Sequence, residues 1–192
     1  MPPRLCHSSR VRVCVLILSM VVVTGCGSDQ GVTGPSIAEQ RAALAGAPPP
    51  LARVHAQASR LLGGGRAAFR ERLHDLVGYP LVVNIWGSWC PPCRSEFPYF
   101  QRQALKHGKQ IAFLGIDANN DSEGAARDFL KRVPVSYPSY TDPATDISRK
   151  EFSAIAFPTT AFIDSHGKVA HLKTGGYPSE KELAADIAQY AR

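Results

Sequence analysis

Leu81-Val82-Val83-Asn84-Ile85-Trp86-Gly87-Ser88-Trp89-Cys90-Pro91-Pro92-Cys93 reads as a strand, a turn and the start of a helix. The apolar run Leu81–Ile85 is short and β-branched enough to be a buried strand. Helical spacing begins at Pro91. Two cysteines two residues apart at a strand-to-helix turn form a dithiol redox site.

Downstream of the cysteines, Phe97, Phe100, Ala104 and Leu105 mark one side of a helix, with Pro98 as an expected kink. Residues 111–116 are a second continuous apolar run, suited to a central parallel strand. Asp121 or Ser122 is expected to cap a helix carrying Ala126, Phe129, Leu130 and Val133. Asp142-Pro143 reads as an N-cap followed by proline, opening a helix to about Phe152. Residues 159–163 and 168–174 flank Asp164-Ser165-His166-Gly167 as a hairpin, and Ser179 with Glu182 forms a capping box for the last helix. The order from Leu81 is β-α-β-α-(α)-β-β-α, which implies an α/β fold with a central sheet covered by helices on both faces.

Upstream, Phe69, Leu73, Leu76 and Val77 form an amphipathic helix stopped by Gly78 and Pro80, and Leu51, Val54, Ala58, Leu61 and Leu62 form another. Residues 27–50 are rich in Gly, Ala, Ser and Pro and lack the apolar periodicity of a packed element, so they read as a mobile tether in which residues 37–44 form at most a transient helical turn or two. The N-terminus is basic and is followed by the twelve-residue apolar stretch from Val13 to Thr24, too short to span a bilayer and proportioned like a signal-peptide core. It ends in Val23-Thr24-Gly25-Cys26, which resembles a bacterial lipobox whose cysteine becomes lipidated. The expected organisation is a signal peptide over 1–25, a lipidated Cys26 and tether over 26–50, and one domain over 51–192. Acyl chains would hold that domain at a membrane surface, in the cell envelope outside the cytoplasm.

Removing the signal takes Arg4, Arg10 and Arg12 from the net charge of +6 and leaves 19 basic against 16 acidic residues. That balance gives no case for nucleic-acid binding. Of five cysteines, Cys6 and Cys14 leave with the signal and Cys26 carries lipid. Cys90 and Cys93 are the pair that remains. A stapling disulfide closing so small a ring would contribute only about 2 kcal/mol. A zinc site lacks a second cysteine or histidine pair, so no metal site is expected. Dithiol exchange is the reading left, and it needs no cofactor beyond the Cys90–Cys93 pair.

Cys90 would sit at a helix N-terminus, which favours a thiolate, while Pro91 and Pro92 withdraw two N–H donors from the same turn. Glu96 either moves a proton to and from Cys93 or is an exposed first-turn acid. Pro158 is either a cis-proline beside the cysteines or an ordinary turn proline. Trp89 is expected in the docking surface and Trp86 in the core. His55, His74, His107, His166 and His171 share no spacing and read as surface or turn residues. Asp117 and Asp121 flank Asn119-Asn120 with too few oxygens for calcium.

Residues 83–98, with Trp89-Cys90-Pro91-Pro92-Cys93 and Glu96-Phe97-Pro98, and the later Phe157-Pro158-Thr159-Thr160-Ala161-Phe162-Ile163-Asp164, resemble thioredoxin-fold proteins, most closely the membrane-anchored TlpA/ResA-like group. The resemblance implies a thioredoxin-like fold with a mixed sheet. It implies that Cys90 is the exposed attacking thiol, Cys93 the resolving one, Pro158 a cis-proline beside them, and Glu96 a neighbour of both. Trp89, Pro91, Pro92 and Phe157 would meet the client protein, although the group carries a small or β-branched residue where Phe157 stands. The group's N-terminal hairpin is not evident, and one strand is expected near Arg60–Leu62.

The implied activity is reduction of extracytoplasmic disulfides, as in cytochrome c maturation, fed by a membrane thiol-disulfide electron donor. The alternatives are a disulfide-forming oxidase and, from a different class, a copper-binding lipoprotein. Copper binding would favour CxxxC spacing with a Met or His ligand. The chain after the signal has CxxC and no Met.

Overall fold

The computed structural model describes Met1, residues 34–118 and residues 122–192. The expected signal over 1–25, the lipidation site Cys26, the first part of the tether and Asp121 lie outside the described residues. In chain order the elements are α1 (Ile37–Ala43), α2 (Pro49–His55), β1 (Leu61–Leu62), α3 (Gly65–Asp75), β2 (Leu81–Trp86), α4 (Pro91–His107), β3 (Ala112–Ala118), α5 (Glu123–Arg132), β4 (Ser139–Asp142), α6 (Asp146–Phe152), β5 (Thr159–Ile163), β6 (Val169–Thr174) and α7 (Glu180–Tyr190).

Six strands form one mixed sheet in the order β1-β4-β3-β2-β5-β6. The first four run parallel, and β5 and β6 close the other side antiparallel. Strand β2, with all six residues buried, and β3, with all seven, are the central pair. That is why both read as unbroken apolar runs rather than as alternating ones.

Register shows which helices cover which face. Ile85, Ile116 and Tyr140 are lateral neighbours, and the ring of Tyr140 meets Phe69 of α3, which in turn meets Phe152 of α6. One residue along, Trp86 points to the opposite face, where it packs against Phe97 of α4 and Phe129 of α5. Phe162 meets Tyr190 of α7 on that same face, and Glu180 ties α7 to α4 through Arg102 and Gln103, both at 2.7 Å. Helices therefore cover both faces, as expected. Trp86 is fully buried and donates its indole N–H to Ser139 Oγ at 3.1 Å. Gly115 lies where a Cβ would collide with that same Ser139 hydroxyl, so only glycine lets the indole and the serine meet.

Five features depart from the sequence reading. The helix expected from Leu51 to Leu62 stops at His55, and Leu61 and Leu62 form strand β1 instead. Residues 35–50 are not a tether. Ser36 and Glu39 form a reciprocal capping box for α1, Gln40 and Leu44 are buried, and Gln40 donates to the backbone oxygen of Pro134 at 2.8 Å. The helix is only seven residues long and lacks an apolar stripe, so periodicity does not reveal it. His55 is buried rather than at the surface, with its ring nitrogens 3.1 Å from Ser136 O and 2.8 Å from Gly108 O. Strand β4 occupies Ser139-Tyr140-Thr141-Asp142, a stretch too short to carry a pattern, and it pairs with the expected strand at Leu61–Leu62. Asp142 ends β4 instead of being the N-cap of α6. Its carboxylate still accepts from the Ile147 and Ser148 N–H groups, at 2.9 and 2.8 Å, so the capping chemistry is right and the chain position is not.

The other caps follow the sequence. Ser122 caps α5 and the Ser179 side chain accepts from Glu182 N. The hairpin turn is held by Asp164, whose carboxylate accepts from the His166 and Lys168 N–H groups. Those bonds hold the Asp164 pKa below the usual carboxylate range.

Candidate active site

Two parts of the fold converge at the C-terminal end of β2. Ile85 is paired with Thr159, so the residue before Thr159 lies beside the turn that leaves β2. That residue is Pro158, and the Phe157–Pro158 peptide bond is cis. On the other strand the chain passes Gly87, over which the Trp89 indole folds, and enters α4 with Cys90 as its N-cap.

Cys90 and Cys93 are joined as a disulfide. Pro91 and Pro92 supply no N–H, so the Cys93 amide is the first donor of α4, and it points at Cys90 Sγ at 3.3 Å. The sequence leaves the effect of the two prolines on the thiolate unsigned. The structure shows that one donor remains, the Cys93 amide, and that it is aimed at the Cys90 sulfur. The disulfide is less open than expected, with Cys90 only 2% exposed and Cys93 fully buried. Pro91 and Pro92 take the solvent-facing positions of the turn, and Trp89 is 48% exposed with its ring edge-on to Phe157, centroids 5.9 Å apart.

Glu96 lies one turn beyond Cys93, on the same side of α4. It is fully buried, which excludes the exposed first-turn acid. Its Oε2 accepts from the Tyr177 N–H at 2.9 Å, while Oε1 has no hydrogen-bond partner. Burial pushes the carboxyl up from 4.5 to about 7, opposed in part by the Tyr177 N–H and by the charge of Lys173. The group is therefore poised to exchange a proton near neutrality.

Its surroundings come from residues that carry no motif. A side chain at Gly176 would meet Pro92 at 3.3 Å, Glu96 Oε2 at 3.5 Å and Pro158 at 3.6 Å, so this glycine is the spacer between all three. Tyr177 donates its hydroxyl to Asp186 at 2.8 Å and lies under Lys173, whose Nζ is 4.9 Å from the ring centroid. Beneath α4 the sheet is polar. Asn84 and Thr160 are paired across β2 and β5, both are buried, and their side chains lack hydrogen-bond partners, as does the buried Tyr137 hydroxyl. Tyr137 lies beside Asn84 without aligning for a hydrogen bond, and burial raises its pKa. Such a floor offers a Glu96 carboxylate no cation, so burial outweighs the charge of Lys173 and the Tyr177 N–H.

The fold thus brings Cys90, Cys93, Glu96, Phe157, Pro158, Trp89, Pro91 and Pro92 to one end of the sheet. The Redoxin family model matches residues 71–187, more than half of the chain. Thiol-disulfide oxidoreductase ResA of Bacillus subtilis is 35% identical over 107 residues, which cover 55% of this chain and 59% of the relative. The sporulation thiol-disulfide oxidoreductase A of the same organism is 25% identical over 107 residues, covering 54% and 64%. The chain spans about three fifths of the length of the first of these curated relatives. Among solved structures, a putative thiol:disulfide interchange protein DsbE from Chlorobium tepidum superposes with a TM-score of 0.55 at 28% identity, covering 61% of this chain and 83% of that one. A DsbF homologue from Corynebacterium diphtheriae gives a TM-score of 0.51 at 28% identity, covering 61% and 75%.

Proposed function

The chain belongs to the redoxin family, and from that premise we propose that it is an extracytoplasmic thiol-disulfide oxidoreductase that reduces disulfides of client proteins. The observation that carries the reading is the Cys90–Cys93 disulfide at the N-terminus of α4, with the Cys93 amide aimed at Cys90 Sγ and the buried acid Glu96 one turn on. In the reduced protein the Cys90 thiolate attacks one sulfur of a client disulfide. A mixed disulfide forms and the client's other sulfur leaves as a thiolate. Cys93 then gives up its proton, its sulfur attacks Cys90 Sγ, and the client is released with both sulfurs reduced while Cys90–Cys93 is oxidised. Glu96, whose carboxyl is pushed up to about 7, is partly ionised near neutrality; as the carboxylate it takes up the Cys93 proton, and as the acid it returns it when Cys93 is reduced again.

Phe157 and Pro158 offer backbone beside the sulfurs for pairing with an extended client segment, and Trp89, Pro91 and Pro92 form the surface it meets. The two electrons are restored by a membrane thiol-disulfide donor. Cleavage of the signal before Cys26 and its lipidation would hold the domain close to that donor. The clients are apoproteins of the kind reduced in c-type cytochrome maturation.

Single cysteine variants test the assignment. Cys90→Ser abolishes reduction of an insulin-type disulfide substrate, and Cys93→Ser accumulates mixed disulfides with clients. Turnover surviving in Cys90→Ser would assign the nucleophile elsewhere.

A further inference from the structure

Beside the disulfide, on the outer side of α4, runs a groove of about 470 Å³ between α4 and the end of α5. It is lined by Pro91, Pro98 and the edges of the buried Phe129 and Val133 together with Ser95, Arg94 and Arg132, and the two arginines stand exposed along it. Among the described residues neither guanidinium has a carboxylate within ion-pair distance. The nearby acids are committed elsewhere. Glu123 pairs with Arg127 at 3.0 Å, Asp128 with Lys131 at 2.8 Å while reaching Arg132 only as a weaker charge effect, and Glu96 is turned inward to Tyr177. The Ser95 hydroxyl, also on the groove, is turned back to Pro91 O at 3.1 Å.

Two exposed guanidiniums with no carboxylate partner, lining one groove, are a surface for a carboxylate. Pro91 belongs both to this groove and to the turn that holds the sulfurs, so the groove adjoins the place where a client cysteine would react. Arg94 is four helical residues past Cys90, a rise of about 6 Å, and an extended chain covers that in about two residues and the groove in about two more.

We propose that the Arg94–Arg132 groove selects client polypeptides carrying Asp or Glu about two to four residues from the cysteine being reduced. The inference rests on the proposed reductase activity. It adds the chemical class of the client segment, set by Arg94 and Arg132.

The test uses the full chain, reduced beforehand, and two peptide disulfides identical except for Glu or Gln three residues from one cysteine. At low ionic strength the Glu peptide is reduced about fivefold faster, the size expected of one or two exposed charge contacts. The ratio falls toward one in high salt and in the double variant Arg94→Gln/Arg132→Gln, and the charge-keeping variant Arg94→Lys/Arg132→Lys retains most of it. A ratio of one in the unmodified protein, or a ratio that survives in the Gln double variant, overturns the inference. Failure to reduce either peptide overturns the parent reading instead. Phosphatidylglycerol vesicles provide the competing occupant. If the double variant loses vesicle binding while the peptide ratio is already one, the groove serves a membrane surface and the inference falls.

Discussion

Glu96 is the residue on which structure and sequence differ most in what they allow. At sequence level its position permits a buried proton carrier or a solvated acid equally well, because spacing along α4 says nothing about what Tyr177 and Gly176 bring from eighty residues away. The fold buries it, and burial has a consequence for stability. In the unfolded chain the carboxyl releases its proton near 4.5, whereas in the fold it holds the proton to about 7. A raised carboxyl pKa contributes stability that is fully present below 4.5 and is lost as pH rises through 7. Urea unfolding is therefore expected to show a loss of about 2–3 kcal/mol between pH 5 and pH 8 in the parent protein. Glu96→Gln removes that slope. A slope unchanged by the substitution would mean the carboxyl is not held neutral. His55 shows the opposite failure of sequence reading. A lone histidine without a partner motif reads as surface, and only the docking of α2 places it between two carbonyl oxygens.

At the scale of elements, the legible parts were those with a local physical signal. The apolar runs of β2 and β3, the hairpin around Asp164 and the caps at Ser122 and Ser179 all stand where residue chemistry puts them. Helix α1 reads in sequence only as a transient turn or two, although Ser36-Ile37-Ala38-Glu39 carries the S-x-x-E pattern of a capping box, because the surrounding Gly and Pro content outweighs it. Ser36→Ala is expected to cost about 1 kcal/mol in chemical denaturation if α1 is an integral element, and nothing if the segment is a tether. Strand β4 had no signal to read. It is four residues long, includes Ser139 to receive the Trp86 indole, and exists by pairing with β1 and β3. The loop from Gly175 to Tyr177 was equally silent, yet it supplies the spacer of the site. Gly176→Val pushes on Pro92 and Pro158 together, so it is expected to slow disulfide exchange at least tenfold, while Ala, whose single Cβ asks Pro92 to give by only a few tenths of an ångström, is tolerated far better. Rapid-mixing kinetics with a disulfide peptide would read the difference.

For the molecule as a whole, a mixed sheet with helices on both faces follows from the alternation of strand and helix signals, and the placement of the site follows from register. Pairing of Ile85 with Thr159 sets Phe157-Pro158 against the cysteine turn, which no local pattern of either segment could state. The pairing of Asn84 with Thr160 beneath α4 likewise comes from register, which neither strand states alone. What the sequence does not decide is the direction in which electrons flow, because that is a difference in stability between the disulfide and dithiol forms of the entire domain. The reduction potential of the Cys90–Cys93 pair, measured by equilibration with a glutathione or dithiothreitol couple, tests the central claim most directly. A value near about −270 mV, in the range of a reductant, is the result the account predicts; a value near about −120 mV, that of a strong disulfide-forming oxidant, would contradict it.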